Sequence, residues 1–121
     1  MAKKILIVDD EPDILKTVKF RLSKSGYDVI SAEDGDTALE MVKSEPPDLI
    51  LLDLRLPGKD GFEVCSELKS DDKYKVIPII LLTASSGMQE ERLKTCKHDS
   101  FVLKPYKFED LLEKIRSFIP D

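Results

Sequence analysis

The residues best suited to chemistry are acids set hard against apolar runs. In ILIVDDEPDI (residues 5–14), Asp9 and Asp10 follow four apolar residues without a spacer, and in LILLDL (49–54) Asp53 closes the most apolar run of the chain. Adjacent carboxylates at a core edge repel each other and lose hydration, so something of opposite charge must hold them. Two later apolar runs end on Thr83 and Lys104. Clustered carboxylates without His or Cys suit a hard cation with oxygen ligands. Mg²⁺ fits best, with Mn²⁺ as an alternative, because it takes one or two carboxylates, several waters and a phosphate. Asp9, Asp10 and Asp53 with Mg²⁺ and the Lys104 ammonium sum to zero charge. A carboxylate beside such a cation can act as a nucleophile toward phosphorus, giving an aspartyl-phosphate. Phosphoryl transfer asks little more than in-line positioning and neutralised oxygens, which Lys104 and the Thr83 hydroxyl can supply.

Each residue also has a plainer reading. Asp9 and Asp10 can begin a loop and cap the helix that starts at Pro12, and one acid can do both jobs. Asp53 can simply open a turn, and Thr is common in strands. Lys104 is more pointed, because Pro105 holds it extended and can aim its side chain along the rim.

The elements that must position these residues alternate along the chain. Runs dense in Ile, Leu and Val recur at 5–8, 48–54, 77–83 and 101–103, and YDVISA (27–32) alternates as an edge strand does. Unbroken apolar runs suit strands covered on both faces, as in a parallel sheet. Between them lie helical stripes: Ile14, Leu15, Val18 and Leu22, with Pro12 early and Gly26 as the stop; Ala38, Leu39 and Val42; and Leu111, Leu112, Ile115 and Phe118. Asp60 with Glu63 and Ser86 with Gln89 have capping-box spacing, predicting helices near 61–69 and 87–96. Five βα units make a doubly wound α/β domain. Strands then end near 9, 32, 53, 83 and 104. Ligands of such sheets sit at the carboxyl edge where strand order reverses, so Asp9, Asp10, Asp53, Thr83 and Lys104 converge on one rim.

Composition bounds the function. The 121 residues fit one domain, and a net charge of −5 argues against direct nucleic-acid binding. Cys65 and Cys96 have no metal-ligand spacing and no secretory context, which predicts reduced thiols in a cytoplasmic protein. No apolar run approaches membrane-spanning length and the N-terminus is too short for a signal peptide, so no membrane partner is expected.

IVDDEPDI, LILLDLRLPGKDGFE, IPIILLTA and FVLKPY, in this order and spacing, resemble the receiver domain of two-component response regulators over essentially the whole chain. The resemblance implies a flavodoxin-like, five-stranded parallel sheet in order 2-1-3-4-5 with five helices. It also implies Asp53 as phosphoacceptor, Asp10 as a direct Mg²⁺ ligand, Asp9 completing the metal pocket, and the backbone carbonyl of Arg55 as a further ligand. Thr83 and Lys104 match the residues that grip the phosphoryl oxygens, and the Lys104–Pro105 bond is expected to be cis. Phe101 matches the aromatic that moves inward when Thr83 swings toward the phosphate; its alternative is a core Phe. Residues 1–121 then form a single receiver domain, stand-alone or excised, with no output domain after the last helix.

Implied partners are a sensor histidine kinase or phosphotransfer protein as donor, and a downstream protein docking on the fourth helix, fifth strand and fifth helix. Lys94, Phe101, Tyr106 and Lys107 are candidates on that face, for which a phosphorylation-dependent homodimer is another partner. The chain departs from the family pattern at Lys97-His98-Asp99-Ser100, where Gly-Ala-Asp-Asp is common, and at Lys107, which cannot accept a capping bond. Arg55 and Ser85 occupy variable positions near the site. His98 reads as a solvated loop residue, and Gly58-Lys59 lacks the first glycine of a phosphate loop. Two rivals stand beside the switch: a phosphorylation-independent scaffold, and an Asp-nucleophile phosphatase. The phosphatase is disfavoured because Arg55 stands where such enzymes carry a second Asp. A switch of this kind is a phosphoacceptor that assists its own phosphorylation and dephosphorylation, not an enzyme acting on outside substrates.

Overall fold

Side-chain alternation along the central strand explains the architecture of this computed structural model, which describes residues 2–84 and 99–120. The strands are β1 (Lys4–Val8), β2 (Asp28–Ala32), β3 (Leu49–Asp53), β4 (Ile79–Ala84) and β5 (Ser100–Lys104). Ile50 and Leu52 of β3 join Leu6, Val8, Ile79 and Leu81 in one core cluster. Leu49 and Leu51 join Ile5, Ile7, Ile80 and Leu82 in a second cluster on the opposite face. All five β3 residues are buried, so the unbroken apolar run is what a strand covered on both faces demands. The strands pair in parallel in the order β2-β1-β3-β4-β5, as expected.

The described helices are α1 (Pro12–Lys24), α2 (Gly35–Ser44), α3 (Gly61–Lys69) and α4 (Phe108–Phe118). Leu15, Val18 and Leu22 of α1 and Leu111 and Ile115 of α4 close one face; Ala38 and Val42 of α2 and Phe62, Val64, Cys65 and Leu68 of α3 close the other. The helix expected near 87–96, with its Ser86–Gln89 spacing, lies outside the described residues, so four helices are seen among those described where five were expected.

Local chemistry sets the ends. Pro12 opens α1, and Gly26, at φ 100°, follows its last turn in a conformation that favours glycine. The Asp60–Glu63 capping box is present, with the Glu63 N–H donating to Asp60 at 3.0 Å and the Asp60 N–H donating to Glu63 at 3.4 Å. Asp34 caps α2 by accepting the Thr37 N–H at 2.7 Å, and Lys107 precedes α4 without a side-chain cap. Pro78, with no N–H to donate, delays β4 to Ile79, while its carbonyl accepts the Ile50 N–H at 2.9 Å.

Two features were not foreseen. The Lys69 ammonium, with its side chain only 8% exposed, reaches Asp99 Oδ2 at 2.8 Å and donates to the carbonyls of Lys75 at 3.0 Å and Ile77 at 2.8 Å. Asp99 in turn accepts the Ile79 N–H at 2.8 Å, and its own N–H donates to the Ile79 carbonyl at 3.0 Å. Cys65, buried in α3, is disulfide-bonded, which corrects the expectation of reduced thiols. Composition speaks to compartment and not to which side chains the fold brings together; Cys96 lies outside the described residues. No helix among the described residues is long and apolar enough to cross a membrane.

Leu51 is fully buried at the centre of the sheet. Leu51→Ala is expected to cost about 3 kcal/mol, a large share of the roughly 5–15 kcal/mol typical of a domain, read as a lower urea midpoint with an unchanged slope.

Candidate functional site

The chain reverses its strand order between β1 and β3, which are hydrogen-bonded neighbours with β2 and β4 on their outer sides. A crevice opens outside the carboxyl ends of strands at such a point. Asp9 follows the last residue of β1, and Asp53 is the last residue of β3. Asp9 is fully buried, Asp53 is 6% exposed, and Asp10 is exposed. Carboxylate oxygens from Asp9, Asp10 and Asp53 lie within 4.8 Å of one another. Lys104, the last residue of β5, extends its ammonium to Asp53 Oδ2 at 2.8 Å and to Asp9 Oδ2 at 3.1 Å. The Lys104–Pro105 peptide bond is cis, as expected.

The two buried acids are held in the same way. Asp9 Oδ1 accepts the Glu11 N–H at 2.9 Å, and Asp53 Oδ1 accepts the Arg55 N–H at 2.9 Å. Each carboxylate therefore starts its own loop with one oxygen, through an amide two residues on, and meets Lys104 with the other. This resolves the alternatives for Asp9: it opens the turn and faces the site, but it does not cap α1, whose preceding residue Glu11 makes no side-chain cap bond.

Burial raises the Asp53 carboxyl above the ordinary range, against the Lys104 ammonium and the Arg55 amide, which pull it down. For Lys104 burial acts against the charge most strongly, yet Asp53 and Asp9 together outweigh it and hold the ammonium above its usual range. Three carboxylates against one ammonium leave an excess of two negative charges, matching one divalent cation. The donors are all hard oxygens, so Asp9, Asp10 and Asp53 fit Mg²⁺. Thr83 is the next-to-last residue of β4, the strand between those of Asp53 and Lys104, and pairs in register with Leu103. Arg55 is exposed at the start of the β3–α3 connection.

Phe101 lies in β5 and is 45% exposed, so it is not the core Phe of the alternative reading. Tyr106 is half-buried against the cluster under α1 and α4, closer to the packing reading than to a free contact residue. Burial, the leading influence, raises its hydroxyl pKa. Lys107 is exposed; Lys94, Ser85 and His98 lie outside the described residues. Beside the site a groove of about 560 Å³ runs between α1 and the start of α4, lined by Ile14, Val18, Arg21, Lys104, Tyr106 and Phe108 among others. Sequence reasoning missed Gly35 and Gly61, which pack against the loop next to Asp53, and no spacing rule marks them.

An open parallel sheet with an acid cluster at its switch point and a lysine from the edge strand is a doubly wound α/β domain with a charged rim. The chain matches the response regulator receiver domain family over residues 5–116 and belongs to it. It is a receiver domain of two-component signalling, a class of signalling switches. Among solved structures it is similar to the signal receiver domain of a signal transduction histidine kinase from Syntrophus aciditrophicus, at 33% identity and TM-score 0.93, covering 98% of this chain and 90% of that one. It is also similar to the receiver domain of a sensor histidine kinase from Pseudomonas aeruginosa, described with a magnesium ion coordinated in the active site cleft. That match has 28% identity and TM-score 0.90 and covers 100% of both chains. A putative response regulator from Chloroflexus aurantiacus matches at 25% identity and TM-score 0.92, also over 100% of both chains.

Because the folded-state pKa of Asp53 is raised, its ionised form disfavours folding, and protonation removes that penalty as pH falls through the folded value. In metal-free buffer, Asp53→Asn is expected to be more stable than wild type at neutral pH, with the difference closing toward acid. Urea denaturation across pH checks this, and a gap that widens on acidification would contradict it.

Proposed function

We propose that this receiver domain, taken as residues 1–121, is a phosphorylation-controlled switch in which Asp53 accepts a phosphoryl group from the phosphohistidine of a sensor kinase or phosphotransfer protein. The observation that carries the reading is the Lys104 ammonium, 2.8 Å from Asp53 Oδ2 and 3.1 Å from Asp9 Oδ2, beside a third acid. In the transfer the P–N bond to the donor imidazole breaks, a P–O bond to Asp53 forms, and the electron pair leaves with the imidazole nitrogen. Asp9, Asp10, Asp53 and the Arg55 carbonyl would hold Mg²⁺, which when bound supplies neutralisation of the transferring oxygens.

The chain's own groups do the rest. The Arg55 amide keeps Asp53 oriented through Oδ1. Lys104 follows the negative charge from the carboxylate to a phosphoryl oxygen, and the Thr83 hydroxyl donates to another. Because Lys104 ends β5 and Thr83 sits one strand inward, this exchange of partners pulls on the strand that carries Phe101. The surface of β5 and α4, expected to include the helix near 87–96 that lies outside the described residues, is thereby biased toward its output partner or a second copy. A full reversal of such a two-state surface takes about 5.5 kcal/mol of differential interaction, which a few charge-assisted bonds in a partly dry site can supply.

Incubation with a small phosphodonor and Mg²⁺, followed by intact-mass measurement, is expected to show one phosphoryl adduct. The adduct should be absent without metal and absent in Asp53→Asn. Asp10→Ala is expected to weaken Mg²⁺ binding by at least about tenfold. Mg²⁺ binding without an adduct, from either a small donor or a kinase, would favour the scaffold reading.

A further inference from the structure

The connection between β3 and α3, residues 54–60, carries Arg55 past the acid cluster, and its shape is set partly from outside the site. At its far end, a Cβ on Gly61 would collide with the Asp53 carbonyl oxygen and stand 2.8 Å from Leu54 Cα. At its back, a Cβ on Gly35, the first residue of α2, would collide with the Lys59 carbonyl oxygen and stand 2.9 Å from Val64 Cγ2. Neither glycine has positive φ, so both are required by space and not by backbone conformation. Leu54 is buried at 6% exposure, Leu56 packs on the same core cluster, and Asp60 is fixed by its capping box. The connection is thus gripped at both ends, and its middle rests on the first turn of α2.

We infer that the first turn of α2, through Gly35, is the backstop that positions the β3–α3 connection and so sets the metal affinity of the acid cluster. The inference rests on the proposed Mg²⁺ site. Ligand distances in metal sites tolerate only about 0.2 Å of error. A methyl group at Gly35 displaces the Lys59 carbonyl by more than that, and with Gly61 packed against Asp53 the shift is driven back toward Pro57 and Arg55. The contact is steric and unscreened. The Lys59 side chain, by contrast, reaches Glu67 at 2.8 Å and Asp36 at 4.0 Å with both acids largely exposed, and ion pairs of that kind hold little. Gly35 is therefore a positioning residue, acting through the Lys59 backbone. By reciprocity, Mg²⁺ binding at the rim must be felt at the first turn of α2.

The test is an NMR titration of the wild-type protein with Mg²⁺. The amides of Gly35, Asp36 and Thr37 are expected to shift and to exchange more slowly in step with those of Asp10, Asp53 and Arg55, while Gly26 stays unmoved. Gly35→Ala is expected to weaken Mg²⁺ binding by about tenfold. Lys59→Met, which keeps the carbonyl and removes the ammonium, is expected to stay within about twofold of wild type. Wild-type binding with silent Gly35–Thr37 amides would overturn the inference alone, as would unchanged affinity in folded Gly35→Ala. Restoration of affinity by Val64→Ala in the Gly35→Ala background would assign the effect to core packing and overturn it too. If Gly35→Ala fails to fold, the wild-type titration decides. Absence of any Mg²⁺ binding by the wild type would sink the metal site and the inference with it.

Discussion

One ammonium shared by two buried carboxylates is the constraint around which the rim is organised. Placing Asp9 and Asp53 at the ends of neighbouring, fully covered strands removes most of their water. That cost is tolerable only because Lys104 arrives from the edge of the sheet with both carboxylates in reach. A buried charge stripped of its partner is expensive, so the ends of β1, β3 and β5 are tied electrostatically before any ligand arrives. Sheet order makes this work: β4 alone separates β3 from β5, and a long lysine side chain spans that gap.

The arrangement is ordered yet leaves room for exchange. Oδ1 of each buried acid is held by its own loop, through a backbone amide that moves only if the loop moves. Oδ2 of each is held by a side chain, which can change partner by rotating a few bonds. Orientation and neutralisation are thus assigned to different oxygens. An incoming charged group can take over the ammonium without disturbing how Asp53 is aimed. Under the proposed switch, a partner exchange at the rim would act on β5, because the exchanging group is that strand's own last residue.

Much of this was legible from the chain alone, for a physical reason. Burial on both sheet faces writes itself into sequence as unbroken apolar runs, and a polar residue ending such a run is necessarily at a rim. Asp53 and Lys104 were placed at the rim that way, and the resemblance to a known family added the cis bond and the roles now proposed for them. What was not legible depended on through-space packing. Gly35 and Gly61 look like ordinary helix-start glycines until the carbonyls beside them are placed. Asp34 lacks the reciprocal acid that made Asp60 recognisable as a cap. Cys65 carried no spacing signal for its disulfide. Asp99 was noted only for its departing neighbours, because nothing in sequence links it to a lysine thirty positions earlier.

That last pair has a consequence for the strand that delivers Lys104. Asp99 is fastened to Ile79 of β4 by its carboxylate and its own amide, and to α3 by Lys69, whose remaining donors secure the carbonyls of Lys75 and Ile77. Among the described residues, the entry of β5 into the sheet is therefore anchored by Lys69, Ile79 and Asp99. The lysine that reaches Asp9 and Asp53 is thus held from both ends of its strand, by Asp99 at the entry and by the two carboxylates at the exit.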